Sequence, residues 1–126
     1  MKKIILLLFA PLLFACKTGQ SSASKTLTGR LVIKENCNHY VVSLESGQLD
    51  TSRIAATWKD EKRNTSFTNV FTVASSCSFG QAGLNEGDLF SFEVSDGPPE
   101  ACAVCLMFYP TPDKKLAIKN IKKISP

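Results

Sequence analysis

Beyond residue 25 the chain alternates apolar and polar side chains, the period-two pattern of half-buried strands. Residues 26–35 (TLTGRLVIKE) carry Leu27, Leu31 and Ile33 at even spacing, with Gly29 marking a bulge or a close approach of another element. Residues 39–46 (HYVVSLES) are rich in β-branched and aromatic types and end at Gly47. Asn36-Cys37-Asn38 lies between these two runs as a tight turn, because Asn tolerates left-handed backbone angles, so the pair predicts a hairpin. Residues 65–76 (TSFTNVFTVASS) set Phe67, Asn69, Phe71 and Val73 against Thr68, Val70, Thr72 and Ala74 and predict a third strand; LFSFEV at 89–94 predicts a fourth. ACAVCLMFY at 101–109 is almost continuously apolar, as a central strand buried on both faces would be. Residues 115–124 predict a last strand with a bulge, although Ile118, Ile121 and Ile124 at period three also allow a short helix.

The connections read differently. In residues 49–66, Ile54 and Trp58 stand four apart with Asp50 or Ser52 available as a cap, which predicts one or two helical turns. Trp58 is expected to cover one end of the core. Residues 59–64 (KDEKRN) form a solvated charged loop, and 79–88 (FGQAGLNEGD) a glycine-bearing loop with room for one helical turn. Those glycines match neither a Walker loop nor the Gly-x-Gly-x-x-Gly spacing of a dinucleotide site. The expected architecture is all-β: a small antiparallel barrel of five or six strands over residues 26–126, with short helical turns.

Met1-Lys2-Lys3 followed by an apolar stretch from Ile4 to Ala15 has the form of a secretory signal peptide. The stretch falls short of the roughly 20 apolar residues that a spanning helix needs. Leu13-Phe14-Ala15-Cys16 resembles the bacterial lipobox, with Leu three places before the cysteine and a small residue directly before it; Phe14 departs from that pattern. The resemblance implies removal of residues 1–15 and attachment of fatty acyl groups, palmitate among them, to Cys16. One acyl chain binds a membrane only marginally, whereas two or three anchor stably. Lys17 stands where Asp would mark inner-membrane retention, so the resemblance implies the outer membrane. Thr18-Gly19-Gln20 lacks the acidic residues of the surface-export signal of Bacteroidota lipoproteins, which implies a periplasm-facing position. Residues 16–25 are rich in Gly, Ser and Thr and read as a flexible tether.

Cleavage changes the charge picture. The whole chain has 15 basic and 11 acidic residues and a formal net charge of +4; loss of Lys2 and Lys3 leaves +2. A nearly neutral exported domain gives no electrostatic reason to expect a nucleic-acid partner. About 100 residues support one domain with a modest core. The lysines at 114, 115, 119, 122 and 123 make a basic end, which reads as the guarded edge of a last strand or, alternatively, as a contact for anionic lipid headgroups.

Five cysteines are an awkward number for an exported chain. Assigning Cys16 to lipid leaves Cys37, Cys77, Cys102 and Cys105, which in an oxidising compartment read as two structural disulfides. If the second and third strands are antiparallel neighbours, Cys37 lies near Cys77. Cys102 and Cys105 on a straight strand would stand about 10 Å apart, beyond the roughly 7 Å that a disulfide spans. Either residues 101–105 turn, or both cysteines bridge elsewhere, to Cys37 and Cys77. The favoured pairing is Cys37–Cys77 with Cys102–Cys105 in a turn. The alternative chemistry uses Cys102 and Cys105 as a redox pair, or the four thiols with His39 and Met107 as soft metal ligands. An apolar strand is a poor place for a reactive thiol, and a lone Cys-x-x-Cys is weak zinc spacing. His39, the one histidine, reads as a turn residue, and Asp96 and Glu100 as solvent-facing. No catalytic constellation and no cofactor motif emerges.

Leu84 to Phe92 (LNEGDLFSF) resembles the Gly-Asp lead-in to a strand of OB-type barrels. The whole chain, with its hairpin, its Cys-containing third strand and its apolar Cys-rich strand, resembles small uncharacterised outer-membrane lipoproteins of Bacteroidota. The resemblance implies a lipid-anchored envelope protein without an assigned activity. The expected function is a non-enzymatic binding or assembly module, held to the membrane by its N-terminal lipid and meeting an envelope protein partner.

Overall fold

A computed structural model describes residues 25–103 and 105–124. Seven strands and one short helix follow in order: β1 (Leu27–Glu35), β2 (His39–Ser46), β3 (Ala55–Asp60), β4 (Thr65–Val73), α1 (Ser76–Gly80), β5 (Leu89–Val94), β6 (Lys115–Leu116) and β7 (Ile118–Lys123). They form one sheet in the order β3-β4-β2-β1-β5-β7, antiparallel throughout this path. The all-β class is as expected. The sheet does not close as a full barrel: its return tie is β6, which pairs in parallel with β4 over two residues, Thr72↔Lys115 and Val73↔Leu116. Among the described residues no helix is long and apolar enough to cross a membrane.

Two bulges in the β1–β2 pair, the first in β2 and the second in β1, let a thin sheet bury side chains on both faces. Register shifts fall between Thr28 and Gly29 and between Leu31 and Ile33. Leu31 then faces Val42 and Ile33 faces Val41, and all four are fully buried. Without the second bulge Leu31 and Ile33 would share one face, while adjacent Val41 and Val42 necessarily point to opposite faces. Leu31 and Val42 join the main core with Phe71, Phe79, Phe90 and Phe92. Ile33 and Val41 join Val70 and Tyr109 in a second cluster on the other face, flanked by Trp58 and Phe67. In the main core the Phe71–Phe92, Phe79–Phe90 and Phe90–Phe92 centroids lie 5.8, 5.6 and 5.6 Å apart in tilted or edge geometries, the arrangements that aromatic quadrupoles favour. Gly29 is where β2 and β5 press closest: a Cβ there would stand 2.7 Å from Val42 Cγ1 and 3.0 Å from Phe92 Cε1.

Three local expectations need correction. Asp50 does cap a helical turn, its side chain accepting from Ser52 N at 2.9 Å, but the turn is only Thr51–Arg53. Ile54 and Trp58 belong to extended chain instead: β3 runs to Asp60 and keeps one register from Ala55↔Val70 to Asp60↔Thr65. Residues 101–109, expected as the central strand, form no strand among those described. Trp58 packs against the second cluster and stacks on Phe67 at 6.1 Å rather than closing the main core. The last segment is strand, as favoured, with Asn120 in a left-handed conformation (φ 53°) opposite an irregularity between Ser91 and Glu93.

Candidate functional site

The segment from Ser95 to Lys114 is a strap that leaves β5, crosses one end of the sheet and returns at β6 without regular structure among its described residues. Its fastenings are covalent first. Cys77, inside α1, is bonded to Cys102 with Cα atoms 5.9 Å apart, and Cys37, at the tip of the β1–β2 hairpin, to Cys105 at 5.6 Å. The neighbourhood inferred from β2–β4 pairing is correct, since Val41↔Thr72 sets the Cys37 and Cys77 ends side by side. The favoured partners are not. The strap passes through that neighbourhood and takes both sulfurs, which is the alternative in which Cys102 and Cys105 each bridge elsewhere. Cys37 and Asn38 both adopt left-handed φ (64° and 59°) to make the turn, a conformation that Asn tolerates and that costs a β-carbon residue such as Cys more.

Past Cys105 the strap is fastened by polar contacts. Tyr109 is buried, and its hydroxyl donates to Asp60 Oδ2 at 2.6 Å. Asp60, fully buried at the end of β3, accepts with its other oxygen from Lys62 N (2.9 Å) and Arg63 N (3.3 Å), so one carboxylate closes the β3–β4 turn and holds the strap. Burial and this hydrogen bond raise the Tyr109 phenol above its ordinary pKa. Lys62 Nζ lies 4.7 Å above the Tyr109 ring centroid. Farther on, buried Thr72 donates its hydroxyl to Pro112 O at 2.6 Å and its N–H to Lys114 O at 2.8 Å.

Between the Cys105 bridge and the Tyr109 anchor stand Leu106, Met107 and Phe108, with 99%, 59% and 80% of their surface in water. Three consecutive large apolar side chains held out by a bridge on one side and a buried tyrosine on the other form an apolar tip, the kind of exposure that needs a reason. A cleft of about 800 Å³ opens on one side of it, where His39, Thr72, Ser76, Pro99, Phe108 and Lys115 contribute to the lining. A smaller one of about 370 Å³ lies on the other side, between Met107, Phe108, Lys62, Arg63 and Glu35.

The wall of the smaller cleft is an ionic network. Arg63 donates to Glu35 and to both oxygens of Glu86 (3.0 and 2.8 Å), and Glu86 also accepts from Lys34 N at 2.7 Å. Hydrogen bonds to Glu86 and Glu35 push the Arg63 guanidinium above its already high pKa. The bond from Arg63 holds the Glu86 carboxyl below the usual carboxylate range, helped by the Lys34 amide. These charges satisfy one another.

His39 Nδ1 donates to Asn36 O at 2.7 Å, the turn role expected of it. Cys102 and Cys105 sit in different bridges and are not a pair with each other. Cys77, Cys102 and Glu100 bring three donor atoms within 4.8 Å, but both sulfurs are oxidised, and Glu100 accepts from Ser78 N at 3.1 Å. Met107 stands on the exposed tip. Asp96 and Glu100 are solvent-facing, and the five lysines from 114 to 123 are exposed along β6, β7 and the approach to them. Cys16 and the signal peptide lie outside the described residues.

Sequence reasoning missed Asp60, Arg63, Glu86 and Tyr109. One signal was available: Asp60 follows Ala56 and Trp58 at period two, which places it on a strand face rather than in a charged loop. No family model, no curated protein and no solved structure matches the chain.

Proposed function

We propose that this chain is a lipid-anchored lipoprotein of the outer membrane, periplasm-facing, whose domain is a non-enzymatic binding module that docks an envelope protein partner through the strap. The observation that carries the reading is the apolar tip: Leu106, Met107 and Phe108 are in water although a disulfide and a buried tyrosine fix the chain on either side of them. Holding such a surface rigid lowers the ordering entropy that binding would otherwise cost, and an aromatic–aliphatic cluster of this kind is the usual anchor of a protein interface. An OB-like path supports the same reading: β4-β2-β1-β5-β7, a helix between β4 and β5, and a parallel tie from β6 back to β4. In OB barrels the loops that correspond to the β1–β2 turn and the strap flank the ligand face. Here those two loops are joined by Cys37–Cys105.

The lipid half of the proposal rests on Leu13-Phe14-Ala15-Cys16 and is tested by feeding cells an alkyne-tagged fatty acid: label on the wild type and none on Cys16→Ser is expected, and label on neither overturns it. The binding half is tested by a photo-activated residue at Leu106 in intact cells. One discrete protein adduct, absent when the same residue replaces Glu45 on the far end of β2, is expected. Equal or no adducts at both positions overturn it.

A further inference from the structure

The two ends of the sheet are treated differently. β7 presents exposed Lys119, Lys122 and Lys123 and a left-handed Asn120 that breaks its regularity, the devices that keep a free edge from recruiting another strand. β3, at the other end, carries one exposed lysine, Lys59, and no left-handed residue. Among the described residues it pairs only with β4, in one register over five partner pairs, it contains neither Pro nor Gly, and its single lysine is held by Glu61 at 3.3 Å. Ala56 and Thr57 are exposed, and Trp58 is half-buried.

We propose that β3 is the seam at which two copies of this chain pair edge to edge, antiparallel, about a two-fold axis through Thr57. Such an axis fixes every facing pair. With Thr57 on Thr57, Trp58 of each copy faces Ala56 of the other, a large side chain over a small one, and Arg53 faces Glu61, twice. Both charged residues are exposed, Arg53 at the end of the helical turn that precedes β3 and Glu61 in the turn directly after it. Neighbouring registers lose this fit. Centring on Ala56 sets Arg53 against Lys59, and like charges directly opposite destabilise a strand pair. Centring on Trp58 moves Glu61 opposite Ala55 and Asp60 opposite Ala56, and it sets the two indoles against each other. The centre on Thr57 is the register in which charge and size both match. Pairing across β3 does not depend on the proposed function.

The test uses the full chain in intact cells. Thr57→Cys puts two sulfurs face to face at the axis, and a covalent dimer on a non-reducing gel is expected. Lys122→Cys, on the guarded edge, should give none. Mass analysis of the monomer bands confirms that both native disulfides remain. Arg53→Glu in the Thr57→Cys background should lower the dimer fraction about five-fold, the effect of losing two exposed ion pairs. Glu61→Arg added to it should restore the dimer. Dimer yields for Thr57→Cys no higher than for Lys122→Cys, or an adduct with a different protein instead of a dimer, overturn the proposal, as does failure of the charge swap to rescue.

Discussion

Asp60→Ala tests how the strap is held. The carboxylate is fully buried and accepts three hydrogen bonds, from Tyr109 Oη at 2.6 Å and from the N–H groups of Lys62 and Arg63 at 2.9 and 3.3 Å. A hydrogen bond to a charged group contributes about 1.5–3 kcal/mol net, and a buried donor left without a partner costs about 1–3 kcal/mol. The two backbone donors lie at an exposed turn and recover water, so the tyrosine bond and the orphaned phenol dominate, and the expected loss is about 3–4 kcal/mol. In a domain this size that lowers the melting midpoint by well over 10 °C, at roughly 4–8 °C per kcal/mol. Tyr109→Phe removes the donor but leaves Asp60 its two turn amides, at a cost of about 1–2 kcal/mol. Because both substitutions delete the same bond, the double variant should cost about 1–2 kcal/mol less than the sum of the singles. The assay is urea unfolding with the disulfides intact, followed by tryptophan fluorescence, since Trp58 packs beside this cluster. An Asp60→Ala protein within 1 kcal/mol of wild type, or two single effects that simply add, would refute the claim that Asp60 anchors the strap.

Other outcomes follow from the same geometry. The Cys77–Cys102 bridge is nested inside Cys37–Cys105, whose cysteines are 68 residues apart, so replacing Cys37 and Cys105 together by Ala frees a loop of roughly 40 residues. The expected loss is about 4 kcal/mol by chain entropy, measured by urea unfolding; a loss under 1 kcal/mol would contradict the pairing. Glu86 has its folded pKa depressed by Arg63, so its contribution is present above the unfolded carboxylate value of about 4.3 and disappears as pH falls through the lower folded value. Glu86→Gln should therefore be less stable than wild type at pH 7, by no more than about 1 kcal/mol because the pair is partly exposed, and the gap should close between pH 5 and pH 3. A gap that widens on acidification would contradict the ion-pair assignment.

Local chemistry made much of the fold legible. Asn36-Cys37-Asn38 gave away the hairpin because few residue types accept left-handed φ, and Gly29 gave away the close approach of β2 and β5. The even cysteine count left after Cys16 announced two bridges. The failures have one physical source each. Residues 101–109 were expected inside because they are apolar, yet two disulfides and the single buried anchor Tyr109 hold Leu106, Met107 and Phe108 out in water, so hydrophobicity lost its usual meaning there. The spacing of Ile54 and Trp58 fits a helix and a strand equally over so short a run; the β4 partner decided it. The pairing of the cysteines depends on the path of an irregular strap, which no periodicity encodes. Asp60 and Arg63 were hidden in a charged run whose other members are solvated, and only burial under Tyr109 and pairing with Glu35 and Glu86 set them apart.

Met107 reports directly whether residues 106–108 face water or fill a core. The chain has two methionines, Met1 and Met107, which fall in different tryptic peptides. Oxidation by dilute peroxide under native conditions, read as the gain of one oxygen on the Met107 peptide, should proceed at nearly the rate of the urea-unfolded protein, because 59% of that side chain is in solvent. A native rate slower by roughly ten-fold or more would place Met107 inside, as in the buried central strand, and would contradict the exposed tip on which the proposed binding function rests.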